Sequence, residues 1–227
     1  MLFFNIFLKS GLMKEIFKGK FITFEGPEGA GKTTQIQLAA KTIESYGVQC
    51  LLTREPGGTP LAEELRNIIK HYNGDEKISP ETELLLIEAA RSQHVKHKIL
   101  PALAEGKCVL CDRFTDSTCA YQGGGRHMNM ENIRILNEFA IAPLKINATI
   151  LMKLDITEGF KRTQVRYGGK EVFDRFESQN LEFHQNVMDG FLQIAENEQD
   201  RVAVINAARS IEEIHTDIME ALHELLR

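Results

Sequence analysis

A chain of 227 residues can bury one sizeable core, and 43% hydrophobic with 26% charged residues is the balance of a globular protein that folds in water. Its 27 basic and 32 acidic residues give a formal net charge of −5, which argues against a nucleic-acid binder with a broad basic footprint. If the ligand is a polyanion, positive charge must be concentrated locally.

The opening MLFFNIFL is apolar but only eight residues long. It has no basic segment before it and no small-residue cleavage site behind it, and a bilayer needs about 20 apolar residues. Residues 1–18 therefore read as an N-terminal extension: an upstream start, a frayed or disordered leader, or a short helix covering an apolar patch. Residues 19–227 read as a single domain, with no membrane segment.

The run Phe21 to Phe24 predicts a strand, and Gly26-Pro27-Glu28-Gly29-Ala30-Gly31-Lys32-Thr33 then fits G-x-x-x-x-G-K-[ST] at every fixed position. Ile36, Ala39, Ala40 and Ile43 recur behind it at helical spacing. In such a phosphate loop Gly29 and Gly31 let backbone N–H groups close around phosphate, Lys32 reaches the outer phosphates, and the Thr33 hydroxyl is placed for Mg²⁺. The expected nucleotide-binding set is Gly26 through Thr34, with Thr34 continuing the loop into the helix.

Gly47 stops that helix, and Val48 to Leu52 predicts a second strand running into Arg54-Glu-Pro-Gly-Gly-Thr-Pro60, where Thr59 and Pro60 cap a new helix. Arg54 then sits at a strand's carboxyl end, where open parallel sheets bind ligands. Ser79-Pro80 starts a long helix with apolar residues through Leu100. Ile87, Arg91 and Val95 share one of its faces, and an arginine in an apolar line needs either a buried carboxylate or a bound anion.

Cys108 to Asp112 predicts a third strand ending in a carboxylate that serves Mg²⁺ beside a phosphate loop, with Arg113 next. Cys108 and Cys111 lie at opposite ends of this strand and on opposite faces, which suits buried thiols and a reducing cytoplasm better than a metal or redox pair. Ser117 to Arg126 is polar, aromatic and glycine-rich, a cover for a flat ring or a surface loop. Met130 to Ile141 predicts a helix, Ala148 to Leu154 a fourth strand, and Glu158 to Glu177 a basic lid containing Lys161, Arg162, Arg166, Lys170 and Arg175. Ser178 to about Asn197 predicts a helix, Arg201 to Ile205 a fifth strand, and Ser210 with Glu213 a capping box before the last helix. Alternating strands and helices imply an α/β, three-layer P-loop fold with a mostly parallel five-stranded sheet.

No N-K-x-D element for guanine is present, and the chain is short for a motor or helicase, which leaves a compact phosphotransferase whose second substrate meets Arg54, Arg91 and Arg113. The runs GPEGAGKTT from Gly26, REPGGT from Arg54, AAR ending at Arg91, DRF at Asp112 and STCAYQGGGR from Ser117 resemble the thymidylate kinases. The resemblance covers Phe21 to Glu177. It implies transfer from Mg-ATP to dTMP, giving dTDP on the way to dTTP, by a cytoplasmic homodimer with neither nucleic-acid nor membrane partners.

The resemblance also assigns roles. Arg54 and Arg113 hold the acceptor phosphate, Arg91 bonds the thymine base, Glu28 approaches the acceptor sugar and phosphate, and Ser117, Thr118, Tyr121 and Gln122 form the base and sugar pocket. Lys32 and Arg113, with Arg162 and Arg166 from the lid, supply catalytic charge, because the phosphate loop has no arginine of its own. Two departures stand out: Ile87 occupies the place of a phenylalanine that stacks on thymine, and Tyr167-Gly-Gly-Lys-Glu-Val lengthens the lid. Other small pyrimidine monophosphate kinases, and a slow nucleotide-dependent regulatory protein, are the alternative readings.

Overall fold

The computed structural model describes residues 12–166 and 175–227. Five parallel strands, β1 (Phe21–Glu25), β2 (Cys50–Arg54), β3 (Cys108–Asp112), β4 (Ala148–Lys153) and β5 (Val202–Asn206), lie in the order β2-β3-β1-β4-β5. The chain reverses its winding direction at β1, so a crevice opens beyond the carboxyl ends of β1 and β3. Period-2 alternation divides the strand side chains between two buried faces. Ile22, Phe24, Cys108, Leu110, Ile150 and Met152 join one core; Phe21, Val109 and Cys111 join the other. Cys108 and Cys111 are thus on opposite faces, both buried and free.

Residues 12–17 form α1, and Phe17 is completely buried in the first core, with Met13 and Ile16 packed against it. This part of the predicted extension is a helix closing an apolar patch; residues 1–11 lie outside the described residues. The same face is covered by α2 (Lys32–Ser45) and α10 (Ile211–Leu225). The capping box at Ser210 and Glu213 is formed as the sequence predicts.

On the other face, α3 (Pro60–His71) begins at its Thr59 cap and α4 (Pro80–His94) at its Ser79 cap. The long helix expected through Leu100 widens into π-turns at Val95–Ile99 before α5 (Leu100–Ala104). Pro101 is the physical reason: it has no N–H to give the carbonyl four residues back, and its ring crowds that carbonyl. The second strand lies two residues further along than expected, and Arg54 is its last residue, paired in register with Asp112.

The glycine-rich stretch is helical: α6 (Thr115–Thr118) runs into π-turns at Cys119–Gly125, followed by α7 (Met130–Ile141). Its glycines allow close approach to α9 (Leu181–Asn197). A Cβ on Gly124 would stand 2.6 Å from the Asn186 carbonyl oxygen, and one on Gly190 would stand 3.2 Å from the Ala120 Cα. The remaining helix is α8 (Ile156–Arg166). The lid residues 167–174, including Lys170, lie outside the described residues. No described helix is long and apolar enough to cross a membrane.

Candidate active site

A cleft of about 560 Å³ occupies the crevice at the carboxyl ends of the strands, a volume suited to a small organic ligand. One end is the phosphate loop, contributing Glu28, Gly29, Gly31, Lys32, Thr33 and Thr34. Gly26, Pro27 and Ala30 support that end from outside the lining: Lys32 Nζ donates to the carbonyls of Gly26 (3.1 Å) and Pro27 (2.8 Å), and Ala30 is buried in the core. Gly29 has φ +76, and a Cβ there would stand 2.4 Å from the Gly159 carbonyl oxygen, so the loop is seated directly on the backbone of α8. Only glycine meets both demands. Burial pushes the Lys32 ammonium below its ordinary pKa, with Arg113 adding to the effect and Glu28 and Asp112 opposing it.

Asp112 follows on the cleft wall, its Oδ2 accepting from the Thr33 hydroxyl at 3.2 Å. A hydroxyl and a carboxylate, both hard oxygen donors, therefore meet beside Lys32; this sparse protein ligand set suits Mg²⁺, which keeps most of its shell for water and phosphate. Among the described residues no group of three or more His, Cys, Asp or Glu side chains is arranged to hold a metal.

Arg54, Ile87, Arg91, Arg113, Ser117, Thr118, Tyr121 and Gln122 line the same cleft. Arg113 Nη2 donates to Glu28 Oε1 at 2.9 Å, its Nη1 donates to Ser117 Oγ at 3.2 Å, and its guanidinium carbon stands 5.3 Å from the Tyr121 ring centre. Burial raises the Glu28 carboxyl, but Arg113 and then Lys32 outweigh this and hold it well below the usual carboxylate range. Arg54 is half exposed at the rim and paired with Glu63 at 2.9 Å. Tyr121 makes edge contacts with Phe176, Phe183 and Phe191, which fixes one apolar part of the cleft wall, and Ile87 on α4 lines the cleft as well.

Three of the assigned residues are held by partners within the protein. The lone arginine in the apolar line of α4 is answered by buried carboxylates: Arg91 donates Nε to Glu55 (2.7 Å), Nη1 to Glu88 (2.5 Å) and Asn137 (2.7 Å), and Nη2 to the Phe114 carbonyl (3.1 Å) and Thr118 (2.9 Å). These use all five guanidinium N–H groups, so Arg91 walls the pocket without a spare donor for a base. The Ser117 hydroxyl, assigned to the substrate pocket, donates to Glu25 Oε2 at 2.6 Å. Arg162 does not line the cleft; its Nε donates to Glu158 and its Nη1 to the Ala207 carbonyl, each at 3.1 Å. Arg166 ends α8, and its side chain lies outside the described residues.

Several lining or supporting residues were missed. Arg66 and Lys70, one turn apart on α3, face the cleft, with Arg66 donating to the Pro56 carbonyl at 2.8 Å. Their four-residue spacing was the available signal. Glu55 and Glu25 each sit at the carboxyl end of a strand and are buried. Burial, then Asp116, pushes the Glu25 carboxyl up to about 8. Glu83, also fully buried, accepts from Gln122, Arg126 and Arg175, so it ties α4 to the glycine-rich helix and to the last residues of the predicted lid.

The family model described as thymidylate kinase matches residues 24–218. A thymidylate kinase of Geobacter sulfurreducens is 45% identical over 206 residues, 90% of this chain and 96% of the relative. One from Pseudomonas putida is 44% identical over 208 residues, 92% of this chain and 97% of the relative. Among solved structures, the thymidylate kinase of Ehrlichia chaffeensis superposes with a TM-score of 0.71 at 35% identity, covering 90% of this chain and 98% of the other.

Proposed function

The chain belongs to the thymidylate kinase family and is a nucleoside monophosphate kinase that phosphorylates dTMP, and we propose that ATP is its donor and that its residues divide the work as follows. The acceptor phosphate takes the Arg113 fork from Glu28, with Arg54 closing from the rim. Lys32 turns from the Gly26 and Pro27 carbonyls to the ATP phosphates. Thr33 and Asp112 hold Mg²⁺, which when bound neutralises charge on the phosphate oxygens. An acceptor phosphate oxygen bonds to the γ-phosphorus as the bond from that phosphorus to the β-bridging oxygen breaks, releasing ADP. A phosphate monoester is largely ionised at neutral pH, with a second pKa of about 6, so this transfer needs positioning and positive charge more than a protein base.

The observation that carries this reading is the meeting of Arg113 with the phosphate-loop residue Glu28 at 2.9 Å in one cleft that Lys32, Ile87 and Tyr121 also line. The test is ADP release with Mg-ATP and a panel of nucleoside monophosphates. The expected order is dTMP first, dUMP next, and CMP and AMP far behind. ADP release equal with and without a monophosphate would instead favour a regulatory ATPase.

Ile87 is 8% exposed and lines the cleft. An aliphatic side chain there gives thymine apolar contact without ring-to-ring geometry, worth roughly 0.5–1.5 kcal/mol. The expected result for Ile87→Phe is a dTMP dissociation constant lower by roughly 2- to 13-fold, measured by calorimetry. Unchanged or weaker binding counts against the stacking account.

Arg162 serves turnover by swinging from Glu158 and Ala207 to the transferring phosphoryl group. Arg162→Ala is expected to lower kcat by tenfold or more while the KM for dTMP moves by less than about threefold, since the interaction is made only in the transition state. A rise in KM without loss of kcat would place Arg162 in acceptor binding instead. The free cysteines support a cytoplasmic location. Exposed Leu61, Leu85 and Phe139 on the adjoining helices α3, α4 and α7 support a homodimer, which sedimentation equilibrium would measure.

A further inference from the structure

Strand β1 reads FITFE, and all five of its residues are buried, including the terminal Glu25, which is 0% exposed. A carboxyl group at the centre of a sheet is costly unless it is hydrogen-bonded. Its partners all come from one turn: Oε1 accepts the Phe114 N–H at 2.7 Å and the Ser117 N–H at 3.3 Å, and Oε2 takes the Ser117 hydroxyl at 2.6 Å.

That turn is unusual. Arg113, which begins it, has φ +70, a left-handed conformation that a residue with a Cβ rarely adopts and that persists only when its surroundings impose it. Phe114, the N-cap of α6, offers no side-chain hydrogen bond to the helix start. Glu25, reaching across from the strand that carries the phosphate loop, supplies the missing acceptor. The Arg113 guanidinium also rests on Ser117 Oγ, so Glu25 reaches Arg113 through both the backbone and that hydroxyl.

We propose that Glu25 is a positioning residue for phosphoryl transfer: by accepting the Phe114 and Ser117 N–H groups it holds the Arg113 turn in its left-handed form and aims the guanidinium at the acceptor phosphate. This rests on the reading of Arg113 as the ligand of that phosphate. The charged groups around Glu25 are Arg113, Lys32, and Asp116 on α6, which is itself held by Arg201 at 2.8 Å. Either protonation state of Glu25 leaves Oε1 able to accept, so the clamp is a matter of hydrogen-bond geometry.

The test pairs steady-state kinetics with exchange of the Phe114 and Ser117 amide protons. Glu25→Gln keeps an acceptor for both N–H groups and is expected to hold the KM for dTMP within about threefold of the natural protein, with both amides protected. Glu25→Met keeps the length but removes the acceptor; the expected result is a KM for dTMP raised roughly 5- to 150-fold, the KM for ATP within about twofold, and both amides exchanging faster. Should Glu25→Met fail to fold, Glu25→Asp, one methylene short of the turn, shifts the same two quantities in the same direction. Arg113→Met is measured alongside. If Arg113→Met leaves the KM for dTMP unchanged, the phosphate-ligand reading falls, and the proposal with it. If Arg113→Met raises it while the folded Met or Asp variant of Glu25 keeps the natural KM, or raises the KM for ATP equally, the proposal alone is overturned.

Discussion

Replacing Arg113 by methionine raises the KM for dTMP by roughly 30- to 5,000-fold, the range expected when one member of a desolvated, hydrogen-bonded charge pair is removed. The Arg113 side chain is 14% exposed, and its guanidinium fork can give two parallel N–H bonds to a phosphate. Its present partner Glu28 is 39% exposed, so losing Arg113 leaves a carboxylate that water can still reach, and the melting temperature should move by only a few degrees. Arg113→Lys keeps the charge and loses the fork, and its KM should fall between the two. Initial rates across a dTMP titration, with thermal unfolding on the same preparations, read both quantities. A Met variant with the natural KM would remove Arg113 from the acceptor site. One that melts far lower would make its role chiefly structural.

Arg91→Met lowers stability by about 3–5 kcal/mol, the cost of breaking a buried ion pair from one side. The side chain is 2% exposed, Glu55 3% and Glu88 7%, so neither carboxylate can recover its hydration when the guanidinium is gone. Burial raises the Glu88 carboxyl above its ordinary range even with Arg91 beside it, and removing Arg91 takes away the largest opposing influence. For a chain of this size the loss corresponds to a melting temperature lower by roughly 6–20 °C, followed by calorimetry. Pairing Arg91→Met with Glu88→Met removes one stranded charge and should restore part of the loss. A melting temperature within a few degrees of the natural protein, together with lost dTMP binding, would make Arg91 a base ligand after all.

What the sequence determined by itself is the chemistry that short-range spacing encodes. A phosphate loop is a run of consecutive residues between a strand and a helix; a helix cap is a serine or threonine followed by a proline or, three residues on, a glutamate. Strand alternation likewise assigned Cys108 and Cys111 to opposite faces with no knowledge of what each face meets. Each of these rests on interactions within one turn or strand, so the order of residues is enough to specify them. The motif from Gly26 to Thr34, the five strands and the cleft residues at their ends were legible for that reason.

Tertiary structure alone decided which partner each polar side chain found. Arg91 meets Glu55 across 36 positions and Asn137 across 46, and nothing in the helical spacing of α4 distinguishes those partners from a bound base. Gly124 falls in a stretch that reads as a ring cover or a surface loop until α9 and the glycine-rich helix are brought close enough that a Cβ would collide. Glu25 reads as the polar end of a strand, and its hold on a left-handed turn 89 residues later appears only when β1 and β3 lie side by side. A buried polar group must be satisfied by whatever the fold brings near, and that proximity is set by the packing of the whole sheet and its helices.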